Sequence, residues 1–255
     1  MEKNRVLFCV WCNFENPFLL TEKKCLKCGS TQLVDVVAEK NLEYPNLCVI
    51  KISEKYVLES IRNGTIWLQS PLVYQDYNDH GVISDKAECA FDYYDGINGN
   101  YFASPYVNHY RLFCMSSFKF SNEGIIKNRF DDRLRKFGSY FSRISIEPFY
   151  NAIRENISKN YNINFSTYNG IKYVNEKNYK GPYNPTCKRN RYSWQNEVRL
   201  IFRSLYFMHI GKSPVELYNV IDLDKCVSEP RPIDELLFST HVEKIMPDWR
   251  DGIVK

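Results

Sequence analysis

Two cysteine pairs near the start constrain this chain more than any other feature. Cys9-Val-Trp-Cys12 is followed, after twelve intervening residues, by Cys25-Leu-Lys-Cys28-Gly29. Two thiolates separated by two residues can grip one tetrahedral ion from a tight turn, and two such pairs complete a four-cysteine site. Gly29 gives the second turn the backbone freedom such a knuckle needs. Four soft thiolates suit Zn²⁺, and no fifth ligand or open position is suggested, so the spacing predicts structural zinc on Cys9, Cys12, Cys25 and Cys28. A redox role is disfavoured because no βαβ pattern surrounds either pair. A module this small buries little apolar surface, so the metal would supply much of its folding energy. A strand-like stretch at 32–38 closes the module. A polar linker runs on to Pro45, which discourages helix before it. The expected organisation is a zinc ribbon over residues 1–44 and a second domain over 45–255.

Composition narrows the classes open to the rest. The chain has 255 residues, 44% hydrophobic and 25% charged, enough apolar surface to offset chain entropy and exclude disorder as the main state. No apolar run approaches the ~20 residues that span a bilayer. The opening Met1-Glu2-Lys3-Asn4-Arg5 leads into only a few apolar residues, unlike a signal peptide. Nine cysteines without an export signal point to a reducing cytoplasm. A net charge of +4 does not by itself imply nucleic-acid binding.

Beyond Pro45 the pattern alternates strands with a few helices. Apolar 47–52 reads as a buried strand. Ser53 can cap a helix to Arg62, ended by Asn63-Gly64. A second strand at 65–69 stops at Ser70-Pro71, and 74–108 reads as loop with short helices. Further strands are expected at 110–116, 140–146, 170–174, 194–202, 220–223 and 233–238. Helix is expected within 122–136 and from Glu147-Pro148 to about Lys159. This order gives an α+β domain with a mostly antiparallel or mixed sheet. The dinucleotide-binding, P-loop, zinc-protease and nucleophile-elbow fingerprints are all absent from the sequence.

Three features carry a functional expectation. Lys51 lies on the first strand of the second domain, Ser70 ends the next, and Trp194-Gln-Asn-Glu-Val-Arg-Leu200 lies far downstream. In these blocks the chain resembles the ADP-ribosyltransferase superfamily over roughly residues 47–240. Its nearer likeness is to a bacterial and phage family with an N-G, short strand, S-P block and a later W-x-x-E-x-R-L strand. Lys51 stands where transferases usually carry Arg or His, and a lone serine replaces their Ser/Thr-x-Ser.

The resemblance implies NAD as substrate, with Glu197 and Gln195 catalytic and Lys51, Ser70 and Arg199 on the dinucleotide. Breaking the nicotinamide–ribose bond builds positive charge on the sugar, which a carboxylate such as Glu197 can stabilise. Gln195 would face the acceptor, Lys51 the ribose or diphosphate, and Ser70 the nicotinamide end. Without such a site, Glu197 and Arg199 on a solvated strand face would be an ordinary surface ion pair.

From 172 to 203 the chain carries eight Lys or Arg against two Glu, interleaved with tyrosines. A stripe containing Lys188, Arg189, Arg191 and Tyr192 suits a polyanion, with cations on phosphates and rings on bases. RNA or DNA is therefore the expected acceptor. By resemblance, a toxin or phage-defence role would bring an antitoxin partner. A zinc-ribbon nucleic-acid-binding protein without catalysis, a protein-directed transferase and an NAD hydrolase remain the alternatives.

Overall fold

The computed structural model describes residues 5–9, 15–17, 24, 33–37, 47–76, 91–98, 100–103, 107–127, 130–175, 177–183 and 185–247. The chain divides into two compact units, Met1–Glu43 and Tyr44–Lys255.

In the first unit, β1 (Arg5–Cys9) pairs antiparallel with both β2 (Glu15–Pro17) and β3 (Leu33–Val37). Cys9 is the last residue of β1. Cys12, Cys25 and Cys28 lie outside the described residues.

The second unit begins with β4 (Leu47–Ser53), α1 (Lys55–Arg62), β5 (Ile66–Leu68) and α2 (Pro71–Asp76). β6 (Phe91–Asp95), β7 (Asn100–Ala103), β8 (Tyr110–Lys119), β9 (Tyr140–Ile144) and α3 (Ile146–Asn160) follow. Next come β10 (Phe165–Gly170), β11 (Lys172–Val174), β12 (Lys180–Pro182), β13 (Cys187–Arg189) and β14 (Glu197–Arg203). The unit closes with α4 (Tyr206–Ile210), β15 (Val215–Leu217), α5 (Leu223–Cys226), β16 (Arg231–Pro232) and α6 (Ile233–Leu237).

Six of these strands form one antiparallel sheet in the order β10-β14-β8-β4-β9-β16. The protein is thus α+β with a mainly antiparallel sheet; among the described strands, β11 pairs parallel with β13.

Both faces of the sheet are covered, as the nearly continuous burial of β14 requires. On one face Cys48, Ile50 and Ile52 of β4 meet Phe118, Phe141, Leu134 and the α6 residues Ile233 and Leu236. On the other, α3 presents Phe149, Tyr150, Ile153 and Ile157, a spacing that lines up on one helix face. Phe149 meets Phe113 at 5.4 Å between ring centres, and Tyr150 lies between Tyr168 and Phe202.

Several expected elements differ. Ile233–Leu237 are helix, capped at Phe238, because Ile233, Leu236 and Leu237 are buried at helical spacing, not alternately. Residues 220–223 form a turn entering α5, with Asp222 in the left-handed region at φ 62°. The stretch 170–174 is split at Ile171, so β10 joins β14 while β11 joins β13. Between 122 and 136 the only described helix is a 3₁₀ turn that begins at Asp132 and continues to Phe137, with the Arg133 N–H donating to the capping Asp131 side chain. The expected cap on α1 does not form: Ser53 ends β4, and Glu54 takes the capping position without a side-chain bond.

Gly138 fixes the 3₁₀ turn against β4. At φ 148° it occupies backbone that side-chain-bearing residues rarely adopt, and a Cβ there would lie 2.2 Å from the Ser53 carbonyl carbon. Gly138→Ala is therefore expected to lose more than about 3 kcal/mol of stability, read by denaturant unfolding of the purified protein. A loss below about 1 kcal/mol would show that β4 and the turn can separate freely.

Candidate active site

The site arises where two neighbouring strands part. The β4–β8 ladder stops at Ile50↔Ser116, although β4 continues to Ser53 and β8 extends back to Tyr110. Past that point β4 pairs only with β9, and β8 keeps β14 as its ladder partner. Gln69, just past β5, takes up the vacated edge: it and Leu112 exchange backbone hydrogen bonds of 2.9 and 2.8 Å. A cavity of about 160 Å³ opens in the split. Lys51 and Ser53 of β4, Cys114 and Ser116 of β8, and Glu197 and Arg199 of β14 lie on its wall. Tyr74 of α2, Phe137, Lys188 and Gln195 also line it.

Glu197 is the first residue of β14. Asn190–Gln195 form a 3₁₀ helix, and Asn196, the residue just before Glu197, turns the chain through the left-handed region at φ 42°. Asparagine tolerates that conformation better than most residues. The expected strand over 194–202 therefore begins only at 197, and Gln195 does not reach the site by strand alternation.

Lys188 on β13 brings the two side chains together instead. Its Nζ donates 2.8 Å hydrogen bonds to Gln195 Oε1 and to Glu197 Oε2. Arg199 Nε donates to Glu197 Oε1 at 2.5 Å, and its Nη1 donates to the Pro185 carbonyl at 2.8 Å. The Glu197 backbone N–H donates to the Tyr173 hydroxyl, which ties β11 to the start of β14.

The cluster is interior: Lys188 is 5% exposed, Glu197 6% and Arg199 1%. Burial opposes ionisation of Glu197, but the Arg199 guanidinium and the Lys188 ammonium overcome it and hold its carboxyl well below the usual carboxylate range. Burial, reinforced by the Glu197 charge, pushes the Cys114 thiol up to about 12, so it carries no thiolate at neutral pH. Burial also raises the Tyr74 phenol and lowers the Lys51 amine. Lys51 Nζ spans the split to donate to the Cys114 carbonyl at 2.8 Å, and it lies 4.9 Å from the Phe113 ring centre.

The sequence-derived residues divide accordingly. Lys51, Gln195, Glu197 and Arg199 meet on this cavity. Ser70 is fully buried but does not line it; its Oγ accepts from the Leu72 N–H at the start of α2, the helix that carries Tyr74. Lys188 and Tyr192 were expected on a solvent-facing stripe, yet both are buried. The Lys188 ammonium turns inward because Glu197 and Gln195 offer it buried acceptors. The Tyr192 ring is 1% exposed, so it has no open face for a base, and Lys188, Arg189 and Arg191 lie about it at 5.1, 5.8 and 5.2 Å. Arg189 is half-buried and only Arg191 is exposed.

Tyr74, Cys114, Phe137 and Tyr173 were not anticipated at the site. Phe137 stacks on Trp194 at 5.8 Å, and Arg133 lies 4.5 Å from the Trp194 ring centre. The one available hint was the placement of Tyr74 four residues after Ser70, a helical step from the serine already singled out.

No protein-family model, no curated protein and no solved structure matches this chain. Among the described residues, no group of three or more His, Cys, Asp or Glu could hold a metal ion, and no helix is long and apolar enough to cross a membrane. Fold and site together define an α+β protein whose split sheet holds a buried, ion-paired carboxylate beside a cation-lined cavity.

Proposed function

We propose that this chain is an NAD-dependent ADP-ribosyltransferase acting in the cytoplasm, with a nucleic acid as acceptor and an N-terminal zinc ribbon. One observation carries the reading: Lys51, Gln195, Glu197 and Arg199, far apart in sequence, converge with Lys188 on a single cavity. As the C1–N bond to nicotinamide breaks, positive charge grows on the ribose. Glu197, held ionised, stabilises that charge. Its two oxygens offer about four lone-pair sites, so a ribose hydroxyl can donate to it without displacing Lys188 or Arg199. Lys188, having only donors, holds Gln195 Oε1 and thereby fixes which way the amide points. Lys51 suits the sugar or diphosphate, and Ser70 acts through the placement of α2. An antitoxin partner and a toxin or phage-defence role rest on the family resemblance.

Incubation with labelled NAD, followed by separation of nucleic acid, protein and free products, tests this directly. Label on nucleic acid is the expected result. Label on protein alone, or free ADP-ribose alone, would move the assignment to a protein-directed transferase or an NAD hydrolase. Unconsumed NAD, with salt-sensitive binding to nucleic acid, would leave a non-catalytic binding protein.

The donor set Cys9, Cys12, Cys25 and Cys28 fits zinc by its chemistry. The first pair starts at the last residue of β1, and the second lies in the link from β2 to β3. Elemental analysis should find about one zinc per chain. Stripping it with a chelator should expose residues 1–43 to protease while 44–255 stays resistant. Protease resistance of the whole chain after complete metal removal would dismiss the structural zinc.

A further inference from the structure

One wall of the cavity is aromatic. Phe137 lines the cavity and stacks on Trp194, with ring centres 5.8 Å apart and planes inclined by 30°. The Arg133 guanidinium lies 4.5 Å from the Trp194 ring centre. Asp131 orients it: Arg133 Nε and Nη2 donate to the two carboxylate oxygens at 2.8 and 2.6 Å. Both rings are half-buried and pack against the core that holds Ile52, Leu134 and Phe141, while half of the Arg133 side chain is exposed. The wall thus joins the cavity to the protein surface.

Its backbone is held at both ends. Gly138, directly after Phe137, closes on Ser53, which also lines the cavity. Trp194 directly precedes Gln195, whose Oε1 accepts from Lys188, and Lys188 also donates to Glu197. Consecutive contacts therefore tie the two rings to the carboxylate that faces the reacting sugar.

A fixed ring pair with a guanidinium beside it suits a flat, polarisable ring better than an aliphatic group. Every nucleobase offers such a ring, so stacking of this kind binds nucleic acid without demanding a sequence. Inside a duplex both faces of a base are covered by its neighbours, and exposing one costs unstacking and unpairing energy. A wall within a cavity of about 160 Å³ is reached by a single unstacked base, not by a helix. The Tyr192 ring is buried, so the stacking role expected of the basic stretch falls to Phe137.

We propose that the acceptor is a single-stranded nucleic acid, one unstacked base of which stacks on the Phe137–Trp194 wall. This rests on the reading of the chain as a nucleic-acid-directed transferase and adds the strandedness of its acceptor. RNA and DNA both supply such a base, and paired strands of each distinguish them.

Two measurements test it. The first follows binding of short mixed-sequence oligonucleotides by fluorescence anisotropy, without NAD, at a salt concentration that screens phosphate contacts. Wild type should bind single strands more tightly than the matching duplex. Phe137→Leu keeps an apolar side chain but loses the ring, and should weaken single-strand binding at least about fivefold, whereas Phe137→Tyr should retain it. Circular dichroism establishes that each variant is folded. A strand of abasic sites, offered to wild type, asks the same question without a substitution and should also bind at least about fivefold more weakly. Equal affinity for single strand and duplex, for abasic and intact strands, or of folded Phe137→Leu and wild type overturns the proposal.

The second measurement is transfer from labelled NAD to the same strands. Faster labelling of the single strand, lost in Phe137→Leu and kept in Phe137→Tyr, is expected. Equal labelling of single strand and duplex overturns the single-stranded acceptor and leaves the transferase standing. Ring-dependent binding of single strands with no label on any acceptor overturns the transferase, and the acceptor role with it, and leaves a site for an unstacked base.

Discussion

Glu197→Gln is expected to slow ADP-ribosyl transfer by about 10²–10³-fold, the loss typical when a preorganised electrostatic partner of the transition state is removed. The amide keeps the volume of the carboxyl and can still accept a hydrogen bond, so the loss isolates the charge. The defect should fall mainly on kcat, because the sugar acquires positive charge only as nicotinamide departs. The substitution also takes a buried counter-charge from Lys188 and Arg199, so unfolding and rate must be measured on the same preparation. Gln195→Ala is the companion variant, since it also removes a Lys188 partner but leaves the carboxylate. A smaller loss in Gln195→Ala than in Glu197→Gln would show that loosening Lys188 does not by itself account for the Glu197→Gln defect. A folded Glu197→Gln protein within about threefold of the wild-type rate removes Glu197 from the catalytic role.

What the sequence reveals of this site follows the distance over which its residues interact. Glu197 and Arg199 are two apart on one strand, and period-two geometry is enough to place them together, as their 2.5 Å contact bears out. Lys188 shares that pocket through β13, whose partner β11 lies parallel to it across a connection too irregular for local pattern to foresee. A lysine within a basic stretch looks solvated, and only the three-dimensional placement of Glu197 and Gln195 draws it inside. Gln195 was expected on the strand face of Glu197 and reaches the same cluster by another path, through a 3₁₀ turn and the left-handed Asn196. Cys114 leaves no trace in spacing, since it meets the cavity only because β4 and β8 diverge, and Tyr74 offers only its helical step from Ser70. The α+β class with a mainly antiparallel sheet was legible because it depends on the count and order of apolar runs. The identity of short elements such as α6 was not, because five apolar-rich residues satisfy either period until their partners are known.

Lys188→Met separates the two placements of that lysine most sharply. On a solvated stripe the change would alter stability by less than about 0.5 kcal/mol. Paired inside with Glu197, it leaves a buried carboxylate short of one cation, and a loss of about 3–5 kcal/mol is expected. Methionine keeps most of the stem's apolar contact, so the loss reports the charge and its hydrogen bonds. The pH response supplies a second signature. The groups facing Glu197 are Lys188, Arg199, Lys51, Cys114, Tyr74 and Tyr173, and among these Arg199 and Lys188 hold its pKa down. Its folded pKa lies below the unfolded value of 4.5, so its contribution to stability is complete above that value and is lost as pH falls through the folded pKa. Without Lys188 the folded pKa rises, and acid unfolding followed by circular dichroism should begin at a higher pH than in wild type. The same variant should disturb Gln195 as well, so its transfer rate should fall further than that of Gln195→Ala. An unchanged denaturant midpoint together with an unchanged acid limb would put Lys188 back on the surface and leave Arg199 as the sole counter-charge to the carboxylate.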